Sequence, residues 1–295
     1  MRTGRLLGSG RTADVYELHL DEGGSAPPAD VGLAPSREPS APDGLADRDG
    51  ADRRTGHDLP DGGTGPGDPA SPGGTTTAWV LRRYRGDWGD AAAEAEVMAY
   101  VRAHGYPVPC VRSATRTDMV LERLSGPTML EALATGLLDP ARAGATLARL
   151  LHALHALPPR DRAPAALPGS RVLHLDLHPD NVILAPRGPR VIDWNNAEEG
   201  PPGLDWGMSA MILAQVAVDV ADSRAAMAHA TLVSLLAHRS QGPSGLTDEG
   251  LAEAGRRRAA TPTMTAREVE LIAAAEELIR TLTHPGGVVL RPPRT

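Results

Sequence analysis

The sequence predicts an α+β protein with two lobes, a small β-rich N-terminal lobe and a larger helical C-terminal lobe. Short apolar runs bounded by turn residues dominate the first part of the chain, which is typical of strands. Apolar residues at helical spacing dominate from about Leu204 onward. With 295 residues, 41% of them hydrophobic, the chain has enough apolar material for a sizeable core. We therefore expect an N-lobe over residues 1–124, a C-lobe over residues 125–295 and a cleft between them.

The N-lobe elements follow from the boundaries and spacing of its apolar runs. One helix is predicted over Ala91–His104, because Val97, Met98 and Val101 fall on one helical stripe. The predicted strands are Arg5–Leu7, Val15–Leu18, Ala78–Tyr84, Val108–Ser113 and Met119–Leu124.

The C-lobe begins with a leucine-rich helix and three short strands. The helix is predicted over Pro140–Leu157, and the two prolines that follow it end it. His152 and His155 on this helix are expected to be partly buried structural residues. The predicted strands are Val172–Leu175, Val182–Leu184 and Arg190–Ile192, and the remainder is helical.

Residues 21–77 differ in composition from the rest of the chain. They include 12 glycines, 9 prolines, 11 acidic residues and 4 arginines. Such a segment buries too little apolar surface to offset the entropy of ordering it. We therefore predict a disordered insertion in the N-lobe. The alternative is an acidic docking segment that folds on a partner.

Composition excludes several classes of function. The net charge of -7 arises within residues 21–77, and no basic face remains that would favour a nucleic-acid partner. The single cysteine, Cys110, excludes a disulfide framework and a cysteine-based zinc cluster. The most apolar run, Gly207–Val218, is too short for a membrane span, and the first residues lack a signal-peptide core. We therefore predict a cytoplasmic protein with no membrane partner and no evident obligate protein partner.

The strongest motif is H-x-D-x-H-x-x-N, which runs from His174 to Asn181 and is followed by I-D-W at Ile192–Trp194. Phosphoryl transfer needs a carboxylate to orient the acceptor hydroxyl and oxygen ligands that hold Mg²⁺ on the phosphates. Asp176 follows a predicted strand and lies five residues before Asn181, so one tight loop can direct both side chains into a cleft. Asp193 ends a later strand, and Asn and Asp oxygens suit Mg²⁺.

These motifs resemble the aminoglycoside phosphotransferase and choline kinase group, within the protein-kinase-like fold. The resemblance covers nearly all of the chain except residues 21–77 and the last helices. It implies an ATP-dependent small-molecule kinase that uses Mg²⁺. It also implies that Asp176 is the catalytic base and that Asn181 and Asp193 bind Mg²⁺.

A glycine-rich turn near the N-terminus predicts nucleotide binding. Residues 8–16 fit G-x-G-x-x-A-x-V-Y, with Gly8, Gly10 and Val15 at the positions that the resemblance assigns to the nucleotide. Glycines allow the backbone to approach phosphates closely because they lack a Cβ. Ala13 stands where a third glycine often lies. An ordinary turn is the alternative.

The third predicted strand carries the residues that the resemblance assigns to adenine and phosphate. Val80 and Arg82 share one face of this strand. The resemblance implies adenine contact for Val80 and phosphate binding for Arg82, which replaces the usual lysine with a planar guanidinium. The alternative is that Arg82 faces solvent and Arg83 points inward. Of the two candidate partners, we expect Glu94 rather than Glu96, because Glu94 shares the apolar stripe of the following helix.

Further residues are predicted around the nucleotide and the catalytic loop. Glu122 and Leu124 lie where the resemblance expects the hinge whose backbone binds adenine. Asp205 is expected to accept hydrogen bonds from the backbone of the catalytic loop, or to cap a helix. His174 and His178 are expected to shape this loop rather than to bind a metal.

The acceptor is expected to be a small hydroxyl compound. Only eleven residues separate Asp193 from Asp205, too few for the activation segment of a protein kinase. Because acidic candidates are few, an aminoglycoside-like antibiotic is only one option, and an apolar or neutral acceptor such as a macrolide, a sugar or a metabolite alcohol stays open. The candidates for binding a cationic acceptor are Glu198 and Glu199, with Asp219 and Asp222 as further ones unless they lie on a solvated helix face.

A second hypothesis is a nucleotide-binding or scaffold module that has lost turnover, like a pseudokinase. The arginine at the usual lysine position permits it. The presence of Asp176, Asn181, Asp193 and Glu94 argues against it.

Overall fold

The computed structural model describes residues 1–10, 12–19, 78–86, 89–160, 169–240 and 242–284. The insertion predicted at residues 21–77 lies outside the described residues. The predicted α+β architecture is confirmed, with a β-rich N-terminal part and a helical C-terminal part. The lobe boundary after residue 124 stays a prediction.

The N-terminal part is built on one five-stranded antiparallel sheet with the order β1-β2-β3-β5-β4. Val15 lies opposite Arg82, so the register places the glycine-rich turn beside the predicted phosphate-binding residue. Leu18 lies opposite Trp79, so the strands on either side of the insertion are direct neighbours. The strands are β1 (Arg2–Ser9), β2 (Ala13–His19), β3 (Trp79–Tyr84), β4 (Val111–Ala114) and β5 (Asp118–Glu122).

Helix α1 (Ala91–Ala103) begins at a side-chain cap. The carboxylate of Asp90 accepts hydrogen bonds from the first backbone N–H groups of the helix. The buried face is the predicted stripe, and it includes a carboxylate as well as apolar side chains. Its members are Ala91, Glu94, Val97, Met98 and Val101. The helix therefore presents Glu94 to the interior at the level of β3.

The C-terminal part combines two small two-stranded antiparallel sheets with a group of helices. The strands are β6 (Arg171–Leu173), β7 (Val182–Ala185), β8 (Gly188–Val191) and β9 (Glu198–Gly200), with β6 paired to β9 and β7 to β8. The helices are α2 (Met129–Ala134), α3 (Pro140–His155), α4 (Pro202–Val218), α5 (Ala225–Ala237), α6 (Asp248–Ala260), α7 (Ala266–Glu270) and α8 (Ile272–Thr283).

Two elements of this part were not predicted. Helix α2 has only six residues, too few for a periodic pattern, and is defined by a capping box between Thr128 and Glu131. Strand β9 begins with two glutamates, which have low strand propensity, and it exists because it pairs with β6. Strand β9 therefore depends on its pairing, whereas the local T-x-x-E signal of α2 was missed.

Helix α4 explains the most apolar run of the sequence. Thirteen of its residues are buried, and it contacts α5, α6 and α8. A helix that is apolar on most of its surface belongs to the interior. In the part of the chain that the structure describes, no helix is long and apolar enough to cross a membrane. A cytoplasmic location stays a prediction.

Candidate active site

The loop after β6 carries Asp176 and turns sharply before it. Leu175 adopts a left-handed backbone conformation with φ of 61°. A non-glycine residue in this region costs about 1–3 kcal/mol and persists only where surrounding contacts hold it. A 3-10 turn over Pro179–Asn181 then returns the chain to β7. The amide of Asn181 donates to the backbone oxygen of Asp176 at 2.9 Å and to its carboxylate at 3.2 Å.

Asp205 holds the strained turn in place. One of its carboxylate oxygens accepts the backbone N–H of Leu175 at 2.7 Å. The other accepts the backbone N–H of His174 at 3.0 Å and Nε2–H of His155 at 2.9 Å. The side chain is fully buried, and a buried carboxylate is tolerated when donors surround it in this way. The alternative role as a helix cap is wrong, because α4 begins three residues earlier, at Pro202.

His174 connects the loop of Asp176 to the segment that carries Asp193. Its Nδ1 accepts the backbone N–H of Asp176 at 3.2 Å, and its Nε2 lies 3.1 Å from the backbone oxygen of Ile192. A neutral ring with its proton on Nε2 satisfies both contacts. The ring also meets Trp194 edge-on, with 4.6 Å between the ring centroids. The segments that carry Asp176 and Asp193 are therefore held in one arrangement.

Arg82 joins two carboxylates from different parts of the chain. Its guanidinium donates to Glu94 at 2.5 Å and to Asp193 at 2.6 Å. Burial alone lowers the pKa of Arg82, but the charges of Asp193 and Glu94 outweigh this and raise the pKa above its ordinary value. The alternative orientation of this strand is wrong, because Arg82 is buried while Arg83 is exposed and pairs with Asp118.

Glu94 is held by three donors, of which the sequence predicted only Arg82. Besides Arg82, the hydroxyl of Tyr84 donates to it at 2.5 Å and the backbone N–H of Trp194 at 2.8 Å. The guanidinium of Arg82 also lies 5.0 Å from the centre of the Tyr84 ring. Glu96 is exposed and makes none of these contacts. The signal for Tyr84 was its position two residues after Arg82, on the same strand face.

The carboxyl of Asp176 is set to be ionised. Burial raises the pKa of Asp176, but the His178 ring, whose Nε2 lies 3.7 Å from the carboxylate, and the charge of Arg258 outweigh it. The net effect is a pKa below the ordinary aspartate value. At neutral pH the group is therefore a proton acceptor, as a general base must be.

A single large cleft brings most of the predicted residues together. Its volume is about 1270 Å³, more than one drug-sized ligand needs. The predicted residues that line it are Gly8, Gly10, Val15, Val80, Arg82, Glu94, Glu122, Leu124, Asp176, Asn181, Asp193 and Glu198. His174 and Asp205 do not line the cleft, and they bind the backbone of the loop that carries Asp176. Glu199 also lies outside it.

The hinge region is fixed by a reciprocal contact. The backbone N–H of Glu122 donates to the backbone oxygen of Cys110 at 2.8 Å, and the Glu122 carboxylate accepts the N–H of Cys110 at 3.0 Å. The Glu122 carboxylate is therefore bound to the backbone of the residue just before β4. A nucleotide contact here stays a prediction for the backbone of Glu122 and Leu124.

The acidic candidates for acceptor binding occupy different surroundings. Glu198 lines the cleft and pairs with Arg257 at 2.7 Å, whereas Glu199 lies 3.7 Å from Arg160. Asp219 and Asp222 were expected on a helix, with a solvated helix face as one explanation. That explanation is wrong, because both lie in the connection between α4 and α5 and line the cleft.

Other residues of the cleft had no signal in the sequence. They are polar or cationic side chains from the C-terminal helices, and only packing of those helices brings them near the catalytic loop. They include Gln215, Arg224, Arg257, Arg258 and Thr261.

The donor set fits a magnesium ion shared with a nucleotide. Within the described ranges, the amide oxygen of Asn181 and the second carboxylate oxygen of Asp193 accept no hydrogen bond. The same part of the chain holds no cluster of three or more His, Cys, Asp or Glu side chains that would bind a metal alone. Mg²⁺ is usually bound by one or two protein carboxylates together with substrate phosphates and water. Asn181 and Asp193 suit that arrangement.

Comparison with known protein families decides the relationship. The model of the phosphotransferase enzyme family matches residues 72–169 and 161–232, more than half of the chain. The chain belongs to this family. The resemblance found in the catalytic motifs is thus confirmed, and the two-lobed architecture is the protein-kinase-like fold that the resemblance implied.

Two solved structures of kinases are also similar to this phosphotransferase-family chain. One is the amicoumacin kinase hAmiN in complex with AMP-PNP, Ca²⁺ and Ami, at 11% identity and a TM-score of 0.40, over 71% of this chain and 83% of that one. The other is an ethanolamine kinase from Plasmodium vivax, at 10% identity and a TM-score of 0.39, over 70% and 71% of the two chains. No curated protein sequence matches the chain.

Proposed function

We propose that this protein transfers the γ-phosphoryl group of ATP, with Mg²⁺, to a hydroxyl group of a small molecule. The observation that carries the proposal is the convergence of Asp176, Asn181 and Asp193 in one cleft, beside the ion pair of Arg82 and Glu94. Membership in the phosphotransferase enzyme family supports the reaction type. The acceptor class is argued further below.

The nucleotide half of the cleft is assigned to the N-terminal sheet. Gly8 and Gly10 leave room for the backbone to approach phosphates. Val15 and Val80 supply an apolar surface for adenine, and Arg82 a cation for phosphate oxygens. Bound Mg²⁺ would neutralise charge on the phosphates during transfer.

The transfer half is assigned to the catalytic loop. Asp176 would accept the proton of the acceptor hydroxyl while that oxygen attacks the γ-phosphorus. Asn181 orients the Asp176 carboxylate through the 3.2 Å hydrogen bond, and its amide oxygen stays available for the metal. Asp205 and His174 keep the loop in its strained form.

Nucleotide binding is tested by thermal unfolding with ATP or GTP, with and without Mg²⁺. A ligand at 100 times its dissociation constant adds about 2.7 kcal/mol of stability. We expect this Mg²⁺-dependent gain in the wild type and its loss in Asp193→Ala. The matched control is Asp118→Ala, since Asp118 pairs with the neighbouring Arg83 on the exposed face. It should keep the full gain.

Turnover is tested by ADP formation across a panel of hydroxyl compounds. Asp176→Asn should retain the nucleotide-dependent stabilisation and lose about 10²- to 10⁴-fold in turnover, the usual range for a general base. Wild-type turnover in this variant would contradict the assignment. No stabilisation by either nucleotide would contradict the proposed function and favour the alternative of a scaffold without activity.

A further inference from the structure

The C-terminal end of the cleft, built by α4, α5 and the chain from α6 to α8, has an apolar floor. Met208, Ile212 and Val216 lie four residues apart on α4, so they form one stripe, and all three line the cleft. Met227 of α5 and Leu271 between α7 and α8 line it as well. Methionine side chains adapt to irregular apolar shapes. This floor offers burial to an apolar ligand surface.

The acidic side chains around this floor already have partners. Glu198 pairs with Arg257 at 2.7 Å. Asp222 pairs with Arg224 at 2.6 Å, through a guanidinium that contacts both of its carboxylate oxygens. Each of these carboxylates is therefore already paired with a guanidinium group of the protein.

Two further acids of this end are engaged too. Asp219 pairs with Arg267 at 3.1 Å. Glu268 accepts hydrogen bonds from the N–H of Thr265 at 2.7 Å and from its hydroxyl at 2.9 Å, in the capping box of α7. A polycationic ligand would have to displace arginines or break a helix cap to bind these groups.

The polar side chain that α4 contributes to this end of the cleft, Gln215, is also occupied. Gln215 donates to the backbone oxygen of Glu268 at 2.7 Å and accepts from Arg258 at 2.9 Å. These contacts fix α4 against the segment after α6. The surface that α4 offers to a ligand is therefore its apolar stripe.

We propose that the acceptor of this enzyme has a neutral, apolar body and presents one hydroxyl group to Asp176, and that it is not a polycation. This inference rests on the proposed function and names its substrate class. In the reaction, the bond between the γ-phosphorus and the β–γ bridging oxygen of ATP breaks. The acceptor oxygen bonds to that phosphorus, its proton passes to Asp176, and ADP leaves with the bridging oxygen.

The test uses binding of neutral alkyl glucosides with methyl, hexyl and octyl chains, below their micelle concentrations, and of kanamycin as a polycation. Binding is measured by calorimetry on the full chain with AMP-PNP and Mg²⁺. We expect affinity to rise with chain length, by up to about fourfold per buried methylene. We also expect the octyl compound to bind more tightly than kanamycin at 0.15 M salt.

A matched pair of variants localises the effect. Val216→Asn places an amide in the apolar stripe and should weaken octyl glucoside binding by about tenfold or more. Val233→Asn changes the same residue type on the exposed side of α5, outside the cleft, and should leave binding unchanged. Thermal unfolding of both variants without ligand shows that they fold.

Each outcome separates this inference from the proposed function. A flat response to chain length, tighter binding of kanamycin, or equal effects of the two valine variants would overturn the inference while nucleotide binding persists. If nucleotide and Mg²⁺ do not stabilise the wild type, the proposed function is overturned, and the inference with it.

Discussion

Arg82 occupies a position where the resembling kinases carry a lysine, and its environment suits a guanidinium. A planar fork can donate to two different carboxylates at once, and here it donates to Glu94 and Asp193. The ring of Tyr84 lies against the guanidinium, and its hydroxyl holds Glu94. A lysine ammonium at this position would use these contacts less fully than the guanidinium of Arg82 does. The sequence predicted the cation and its partner, but not Tyr84.

Asp205 is the residue whose loss should cost the most stability without touching a substrate. Asp205→Asn removes a buried negative charge and turns an acceptor into a donor facing backbone N–H groups. Removing one partner from such a buried set costs about 3–5 kcal/mol. We expect this loss at pH 7 in urea unfolding, with Asp248→Asn, an exposed residue at the start of α6, as the control.

The pH dependence of that difference has a defined sign. Burial raises the pKa of Asp205. The hydrogen bonds from His155 and from the backbone N–H of His174 lower this pKa by more than burial raises it, so the net pKa lies below the ordinary value of 3.8. A depressed pKa in the folded state contributes stability that is complete above the unfolded value and is lost as pH falls through the folded value. The gap between wild type and Asp205→Asn should therefore shrink as pH falls below about 4. A constant gap from pH 7 to pH 3 would contradict this account.

At the scale of elements, α3 and α5 approach each other closely at one glycine. A Cβ added at Gly144 would lie 2.4 Å from the backbone oxygen of Thr231 and 2.6 Å from Cβ of Ser234. Neither atom belongs to a flexible side-chain end, so the helices themselves would have to separate. This contact explains a glycine inside a helix that the pattern of leucines predicts.

Gly144→Ala should therefore destabilise the protein although alanine favours helices. Overpacking of this kind costs about 1–3 kcal/mol, against a propensity gain of about 1 kcal/mol. Urea unfolding measures the balance. The matched control is Gly255→Ala in α6, whose added Cβ would crowd the carboxylate end of Glu276, which can move away, and would meet Cγ2 of Ile272 at an ordinary contact distance of 3.6 Å. The control should be neutral or stabilising, and equal effects at both sites would contradict the argument.

At the scale of the whole molecule, β2 and β3 are adjacent and antiparallel although 58 residues separate the last residue of β2 from Ala78. Because Leu18 lies opposite Trp79, His19 and Ala78 have the spacing that a two-residue turn joins. The sheet therefore does not depend on the long connection for its register.

Replacing residues 20–77 by Asn-Gly should leave the fold and nucleotide binding intact. Each halving of loop length returns about 0.6 kcal/mol of closure entropy, so stability should be unchanged or higher by up to about 3 kcal/mol. Thermal unfolding with and without Mg²⁺ and ATP measures both properties, and an eight-residue Gly-Ser connection serves as the control. Loss of nucleotide binding in both shortened proteins would favour the hypothesis that the acidic segment has a role of its own.

The local sequence pattern predicted most of the helices and strands and missed a few. The stripe of α1 predicted both the helix and its buried glutamate, because side chains four residues apart share a face. Helix α2 and strand β9 escaped prediction, because one is too short for a period and the other forms only against β6. Asp219 and Asp222 were misplaced because the end of α4 carries no proline or glycine signal.

Motifs of short, fixed spacing were enough to predict most elements, the family resemblance, the residues of the catalytic loop and the contact of Asp205 with the backbone of that loop. Packing of distant segments brings Tyr84 to Glu94 and holds Leu175 in its strained turn, and neither had a motif of its own in the sequence. It also pairs Glu198 with Arg257. These contacts join residues far apart in the chain or on different elements, and their geometry depends on how the sheet and the helices pack together.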